Sequence, residues 1–319
     1  MKLLPSILIL AGLAASTGLA HAQEFPLTIE HKFGATTIPE RPLRVATVDY
    51  NGADNLLALG VQPLTVRYWF GEYDVWPWAK EMLTGTPEIL RGELNFEQIA
   101  ASEPDVILAL YSGITDRDYQ QLSAIAPVVA VPEGVGDYEL AWDQQALVAG
   151  RAIGEEDEAQ AQVDAINAEL AAIAGRNPEW AGQTVSLGTI WEGANHVYTT
   201  SDPRVQLLNQ MGLDNHPEVV ALSDPGTFSV ELSEERPEAF DSDVLIWFAD
   251  EGMEPIENAI FRPTLTAVQE GREVFLGPIV TSALSHTSLL SLPYALEVLE
   301  PSIALAIDGD PTTEVPLAP

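Results

Sequence analysis

No cysteine occurs in this chain, so disulfides, thiolate metal ligands and a cysteine nucleophile are all excluded. Lysine is almost as scarce: only Lys2, Lys32 and Lys80 are present, and with 14 basic against 48 acidic residues the formal charge is -34. Phosphate binding needs a basic face, so a nucleic-acid partner is excluded, and an anionic membrane surface is disfavoured on the same ground. The acidity reads as a solvated shell that keeps the protein soluble. Histidines are few, and His31, His196, His216 and His286 are scattered with no H-x-H or H-x-x-x-H pair. No metal site built from protein ligands is expected, nor any resident cofactor. There is also no G-x-S-x-G elbow, no P-loop and no G-x-G-x-x-G after a strand. Against such an acidic background, each arginine gains meaning as a partner for an anionic ligand.

The first residues, MKLLPSILILAGLAASTGLAHAQ, place Lys2 ahead of an apolar run from Leu3 to about Leu13 and then Ala20-His21-Ala22. This pattern predicts a secretory signal peptide over 1–22, cleaved after Ala22. A membrane anchor is the other reading, but the run is short for a bilayer. With no cysteine to lipidate, the mature chain is expected to be a free periplasmic protein stabilised by its core.

From Arg41 onward, short β-branched runs alternate with helical stretches. RVATV, PLTVRYW, DVILAL and VVAVP are expected strands, with helices through DNLLALG, NFEQIAAS and DYQQLSAIAP between them. Such alternation predicts parallel β-α-β units. Between Tyr138 and Ala174 the strand signal vanishes and alanines recur at helical spacing, which predicts one long helix or two broken near Gly154 and ended by Gly175 and Pro178. Alternation then resumes through TVSLGTIW, a helix near Pro203–Met211, SDVLIWF, a helix near Pro263–Gly271, EVFLG and a last helix over Ser288–Ile307. The expectation is an α/β protein of two Rossmann-like lobes with parallel sheets, residues 23–154 and 176–319, joined by a single long backbone helix over 155–175. One echo links the lobes: Glu97 lies eight residues before Asp105, and Glu235 lies eight residues before Asp243, each aspartate opening an apolar strand.

In open parallel sheets, ligands bind beyond the carboxyl ends of the strands. Those ends carry Tyr50, then Arg67-Tyr68-Trp69, Tyr111, Trp191 and Trp247-Phe248. Each aromatic alone suits a core or rim position; together they suggest a ligand surface. The densest stretch, RYWFGEYDVWPWA, holds six aromatics in thirteen residues. Its first three residues are expected at the cleft and Trp76 and Trp78 against the lobe, with Tyr73 open to either.

Several segments resemble the substrate-binding proteins of bacterial iron-siderophore ABC transporters, of the ferric hydroxamate and ferric citrate binding type with a helical backbone. They are RVATVDYNGADNLLALGVQPLTV, NFEQIAASEPDVILA, LSAIAPVVAVP and SALSHTSLLSLPYALEVLEPSIA. The resemblance implies a ferric chelate bound in a shallow cleft between two lobes, by aromatic faces and one or more arginines. It points to Tyr50, Arg91 and Tyr111 as ligand contacts, and to Glu97 and Glu235 as acids docking on arginines of an inner-membrane permease. Arg67, Tyr68, Trp69, Trp191, Phe228 and Trp247 complete the expected ligand-binding set, with either Arg67 or Arg91 meeting the chelate oxygens. Because the chelator already fills the iron's coordination sphere, no protein metal ligand is expected. One departure stands out: the segment NHPEVVALSDPGTFSVELS, where some relatives carry tryptophans, offers only His216 and Phe228. The expected protein is a non-enzymatic monomer that binds a ferric siderophore; a haem or cobalamin binder of the same fold, or a secreted hydrolase, are the alternatives.

Overall fold

A computed structural model describes residues 23–71, 73–249 and 252–319; the leader over 1–22 lies outside them. The chain enters through an antiparallel hairpin of β1 (Leu27–His31) and β2 (Gly34–Ile38). The first lobe then runs β3 (Val45–Thr47), α1 (Gly52–Ala58), β4 (Thr65–Arg67), β5 (Glu88–Leu90), α2 (Phe96–Ala101), β6 (Val106–Ala109), α3 (Asp116–Ser123) and β7 (Val128–Ala130). β3, β6 and β7 form a parallel sheet, and β4 pairs with β5 in parallel. The Leu64 amide donates to the Val45 carbonyl at 2.8 Å, which ties the two sets together. These strands are short and buried on both faces, hence their unbroken apolar text.

α4 (Trp142–Ile153) and α5 (Glu156–Arg176) follow, packed against each other. Gly154 separates them at φ +78°, a left-handed turn that glycine adopts without strain. α5, at 21 residues, is the longest helix among the described residues and leads directly into the second lobe.

The second lobe comprises β8 (Thr184–Trp191), β9 (Ala194–Tyr198), α6 (Pro203–Gln210), β10 (Asp214–Asn215), α7 (Pro217–Leu222), β11 (Ser229–Leu232), β12 (Val244–Phe248), α8 (Glu254–Glu257), α9 (Thr266–Gln269), β13 (Glu273–Leu276), α10 (Pro278–His286) and α11 (Ser291–Ala306). Its sheet has the order β11-β9-β8-β12-β13, with β10 beside β8. The centre is parallel as expected, but β9 and β11 run antiparallel to their neighbours and make this sheet mixed. The β9 and β11 strands and α10 carry little sequence signal; in α10 the β-branched start of PIVTSALSH is helical because tertiary packing decides.

The aspartate echo has a structural meaning. Asp105, one residue before β6, accepts the amides of Leu43 and Arg44, both at 2.9 Å, where β3 begins. Asp243, one residue before β12, accepts the Thr184 amide at 2.7 Å and its hydroxyl at 2.8 Å, where β8 begins. In both lobes an acid at the foot of one strand fixes the start of its parallel neighbour.

The largest apolar core is shared by the lobes: it runs from Ile29 through α5 to Ile303 of α11. Polar groups on α1 reinforce this union. Asn51 donates to the His286 carbonyl at 2.7 Å, and Asn55 accepts the Leu289 amide at 3.0 Å. Asp54 accepts the Trp78 indole at 2.9 Å, the Ser288 hydroxyl at 2.6 Å and the Tyr73 hydroxyl. All three α1 side chains are buried, so each bond is made out of water and the lobes are joined stiffly.

Candidate functional site

Three parallel strands bring the first wall together. β3 continues through Asp49 to Tyr50, β4 ends in Arg67 and runs on to Trp69, and β6 runs on to Tyr111. The Tyr50 amide donates to the Tyr111 carbonyl at 3.1 Å, and the Tyr111 amide donates to Asp49 Oδ1 at 2.7 Å. These bonds set the ends of β3 and β6 at one level. The rings of Tyr50 and Trp69 lie 5.3 Å apart, those of Trp69 and Tyr111 6.2 Å, and Tyr138 adds a fourth ring 5.3 Å from Tyr111.

Two first-lobe arginines are stacked on tyrosines. Arg67 covers the Tyr50 ring at 4.2 Å and donates from Nη2 to the Tyr50 hydroxyl at 3.0 Å. Arg91, just past β5, covers the Tyr68 ring at the same 4.2 Å. Stacking holds the Arg67 guanidinium plane in place, and its contacts to the Val48 and Gly92 carbonyls are long, 3.4 Å each, so its donors can turn to a ligand oxygen pair. Arg67 stays half-buried and Arg91 and Tyr68 exposed, so ligand can reach them.

Behind Arg67 sits Asp49, fully buried. Burial pushes its carboxyl up to about 6, against the pull of the Tyr111 amide and the Arg67 charge. Tyr111 is nearly buried as well, and burial holds its hydroxyl above the ordinary range despite the nearby Arg204 charge. Tyr111 therefore forms the floor of the wall more than its face.

The second wall is the face of a sheet. Thr189 and Trp191 alternate on β8, His196 and Tyr198 alternate on β9, and Thr189 pairs with His196 in register. Period-two alternation sends all four to one side. The Glu192-Gly193 turn, both residues at positive φ, closes this hairpin and leaves Trp191 55 % exposed at its tip. Phe228, beside β11, and Phe248, at the end of β12, complete the wall. Together with Trp69 and Phe70 of the first lobe these residues enclose a cavity of about 300 Å³ between the lobes. Tyr138 and Phe228 meet across it at 6.3 Å.

Phe70 enters that cavity at a backbone cost. Its φ is +58°, and the Gly71 amide bonds the Trp69 carbonyl at 2.7 Å, closing a three-residue turn of the rare positive-φ kind. The turn turns the chain sharply after Trp69 and leaves Phe70 41 % exposed to the cleft. The remaining aromatics of this stretch turn inward: Trp76 and Trp78 stack at 5.2 Å and are buried, and Tyr73 is buried on Asp54.

Trp247 does not face the cleft. It is completely buried on the opposite side of β12, between Phe240 at 5.1 Å and Phe261 at 6.5 Å, with its indole donating to Glu273 at 2.9 Å. The expectation treated Trp247-Phe248 as one strand end, but adjacent strand residues point to opposite faces, so only Phe248 reaches the cavity. His216 is likewise structural, accepting the Glu218 amide as the cap of α7. Tyr50, Arg67, Trp69 and Tyr111 gather on the first wall and Trp191 and Phe228 on the second, while Tyr68 and Arg91 form an exposed stacked pair beside the first. Glu97 and Glu235 are exposed and outside the cavity.

Sequence reasoning passed over Phe70, Tyr138, Tyr198 and Arg204. Arg204 is buried beneath the second wall, 4.0 Å from the Tyr198 ring and 5.3 Å from that of Phe248. Asp202 grips it with both oxygens, at 2.8 and 2.5 Å. Burial works against its charge, but the Asp202 carboxylate outweighs that and holds its pKa above the ordinary value. The D-P-R at the head of α6 was the available signal: an N-capping aspartate with an arginine two residues on. Among the described residues no group of three or more histidines and carboxylates could hold a metal.

The model of the family described as periplasmic binding protein matches residues 45–279. A probable siderophore-binding lipoprotein of Bacillus subtilis, YfiY, is 28 % identical over 231 residues, covering 69 % of this chain and 68 % of that one. The crystal structure of a periplasmic solute binding protein from Mycobacterium smegmatis is 30 % identical with a TM-score of 0.77, covering 88 % of this chain and 98 % of that chain. PiaA of Streptococcus pneumoniae, solved in complex with ferrichrome, is 28 % identical with a TM-score of 0.76, covering 89 % of this chain and 99 % of its own.

Proposed function

The chain belongs to the periplasmic binding protein family, and on that premise we propose that it captures a ferric siderophore between its lobes and delivers it to an inner-membrane ABC permease. The observation that carries this reading is the first-lobe wall, with Arg67 stacked on Tyr50 and Tyr50 beside Trp69, set against the aromatic face of the second lobe across the cleft. A ferric chelate is a bulky organic shell around an oxygen-rich centre. Aromatic faces cover the shell, and forked guanidinium groups meet oxygens bearing partial or full negative charge. The iron arrives already coordinated, so binding needs no ligand from the protein.

The protein acts as a periplasmic carrier and performs no chemistry on its cargo. Its pocket is largely preformed, since α1 bonds both lobes and the core runs through them. Glu97, in the first turn of α2, and Glu235, in the turn after β11, offer one exposed acid per lobe for arginines on the permease.

Tryptophan fluorescence titrated with a panel of ferric chelates, haem and cobalamin tests the reading. One ferric chelate is expected to quench saturably, and Arg67→Ala to weaken it by about tenfold or more, the loss of a charge-assisted hydrogen bond. Quenching by haem or cobalamin alone, or turnover of an ester or glycoside without chelate binding, would overturn it.

A further inference from the structure

Beside the aromatic cleft lies a second cavity of about 510 Å³, larger than the first and entirely within the first lobe. Arg67 belongs to its lining, and the Tyr50 ring that Arg67 covers lies 5.3 Å from Trp69 of the aromatic cleft, so the two spaces are neighbours. The rest of the lining comes from the loop before α2, the end of β6 and the first turn of α3.

Two polar groups of this cavity have no structural use, and a glycine shapes the passage between them. Ser112 is 5 % exposed, and its hydroxyl oxygen has no hydrogen-bond partner. A buried hydroxyl left unpaired is costly and calls for a partner in the space it lines. Arg117 is exposed on α3, and its guanidinium makes no hydrogen bond or ion pair among the described residues. Finally, Gly113 sits between them at φ +64°, where a side-chain carbon would come within 2.0 Å of the Tyr138 hydroxyl. Glycine there keeps the passage from β6 to α3 thin and lets Tyr138 pack against it.

Two arginines from different elements converging on one cavity is notable in a chain of charge -34. Two acids also line it. Asp118 is spent on the capping box of α3, its Oδ2 accepting the Thr115 amide at 2.9 Å and the Thr115 hydroxyl at 2.8 Å. Glu93 is exposed at the rim.

We propose that this cavity is a subsite for a carboxylate-bearing arm of the ferric chelate, with Arg67 and Arg117 pairing its charge and Ser112 donating to an oxygen. The chelate core rests on the aromatic cleft, and the arm passes Arg67 to reach α3. The cargo is then an anionic, carboxylate-type siderophore. This inference rests on the capture of a ferric chelate proposed above.

Ferric citrate and ferrichrome, a neutral trihydroxamate, separate the two ideas when titrated by tryptophan fluorescence. Wild-type protein is expected to favour ferric citrate. Arg117→Glu is expected to weaken ferric citrate about tenfold or more while ferrichrome moves by less than about twofold. Glu93→Gln is expected to tighten ferric citrate by a few fold, and Arg117→Lys to retain most of the wild-type affinity. Since both residues are exposed, neither change threatens folding. A wild-type preference for ferrichrome, or an Arg117→Glu effect equal on both chelates or absent from both, overturns the subsite and leaves the capture reading standing. No binding of any ferric chelate by the wild-type protein overturns both.

Discussion

The two lobes face the same cleft with different parts of the α/β plan. The first uses strand ends: Tyr50, Arg67, Trp69 and Tyr111 lie at or just past the ends of parallel strands, with Tyr50 and Tyr111 tied together by backbone bonds. The second uses the face of an antiparallel hairpin, where Thr189, Trp191, His196 and Tyr198 project by simple alternation. Their arginines differ accordingly. Arg67 is half-buried with long contacts to backbone carbonyls, 3.4 Å to Val48 and to Gly92. Arg204 is buried and saturated by Asp202. The first lobe thus keeps a cation in reserve for ligand oxygens, while the second spends its cation holding two aromatic rings in position.

The sharpest way to break that contrast is to remove the second-lobe cation. Arg204→Ala leaves Asp202 charged, buried and unpaired, and is expected to cost about 3–5 kcal/mol of stability. Chemical denaturation should therefore show a large loss for Arg204→Ala and little for Arg67→Ala, with the order reversed for chelate affinity. Equal stability losses in the two variants would mean that both arginines serve the fold.

Asp49 gives the next largest effect, and its sign follows from burial. Its carboxyl is raised from 3.8 to about 6 in the folded protein, so between those values the folded state holds the proton more tightly than the unfolded chain. Stability contributed by the protonated group is full below about pH 4 and is lost as pH rises through about 6, a difference on the order of 3 kcal/mol. Asp49→Asn keeps an oxygen for the Tyr111 amide without the buried charge. It is expected to be about 1–3 kcal/mol more stable than wild type at pH 7.5, with the advantage gone at pH 4. Denaturation midpoints at the two pH values check this; a difference independent of pH would show that Asp49 is charged at no cost, held by Arg67.

How well the sequence was readable tracks the same division. Strand ends are visible in text, because an apolar run stops at an aromatic or a cation, and Tyr50, Arg67, Trp69 and Tyr111 were found that way. A sheet face is visible only if the strand is recognised and its two sides are told apart. β9 was not recognised, so Tyr198 was missed; β12 was, but its sides were merged, so Trp247 was placed in the cleft when its alternation partner Phe248 belongs there. Arg204 was hidden for a different reason: D-P-R announces a capped helix start, but only tertiary packing buries the guanidinium beneath the aromatic rings. The helical middle region was legible from its alanine spacing, and so was its break at Gly154, where α4 gives way to α5.

The smallest expected change in binding comes from the outer acids, and it tests how alike the lobes remain away from the cleft. Glu97 sits in the first turn of α2, whose N-terminus follows the ends of β4 and β5; Asn95 caps that helix, and a carboxylate there is favoured by the helix dipole. Glu235 sits in a turn three residues past β11, whose end pairs with Asn195 close to the Trp191 tip. Both acids therefore lie at the cleft-side rim of their lobes, on unlike supports. If a permease reads one acid per lobe, Glu97→Lys and Glu235→Lys should each leave chelate affinity within about twofold and each reduce cellular uptake, since rim charges act mainly on association with a charged partner. The α2 variant should also lose about 0.3–1 kcal/mol of stability from its dipole position, and the turn variant should not. Fluorescence titration, thermal unfolding and uptake of labelled iron separate these outcomes. Loss of uptake from only one reversal would mean that the permease engages the lobes unequally, whereas weakened chelate binding in either would move that acid from the rim into the site.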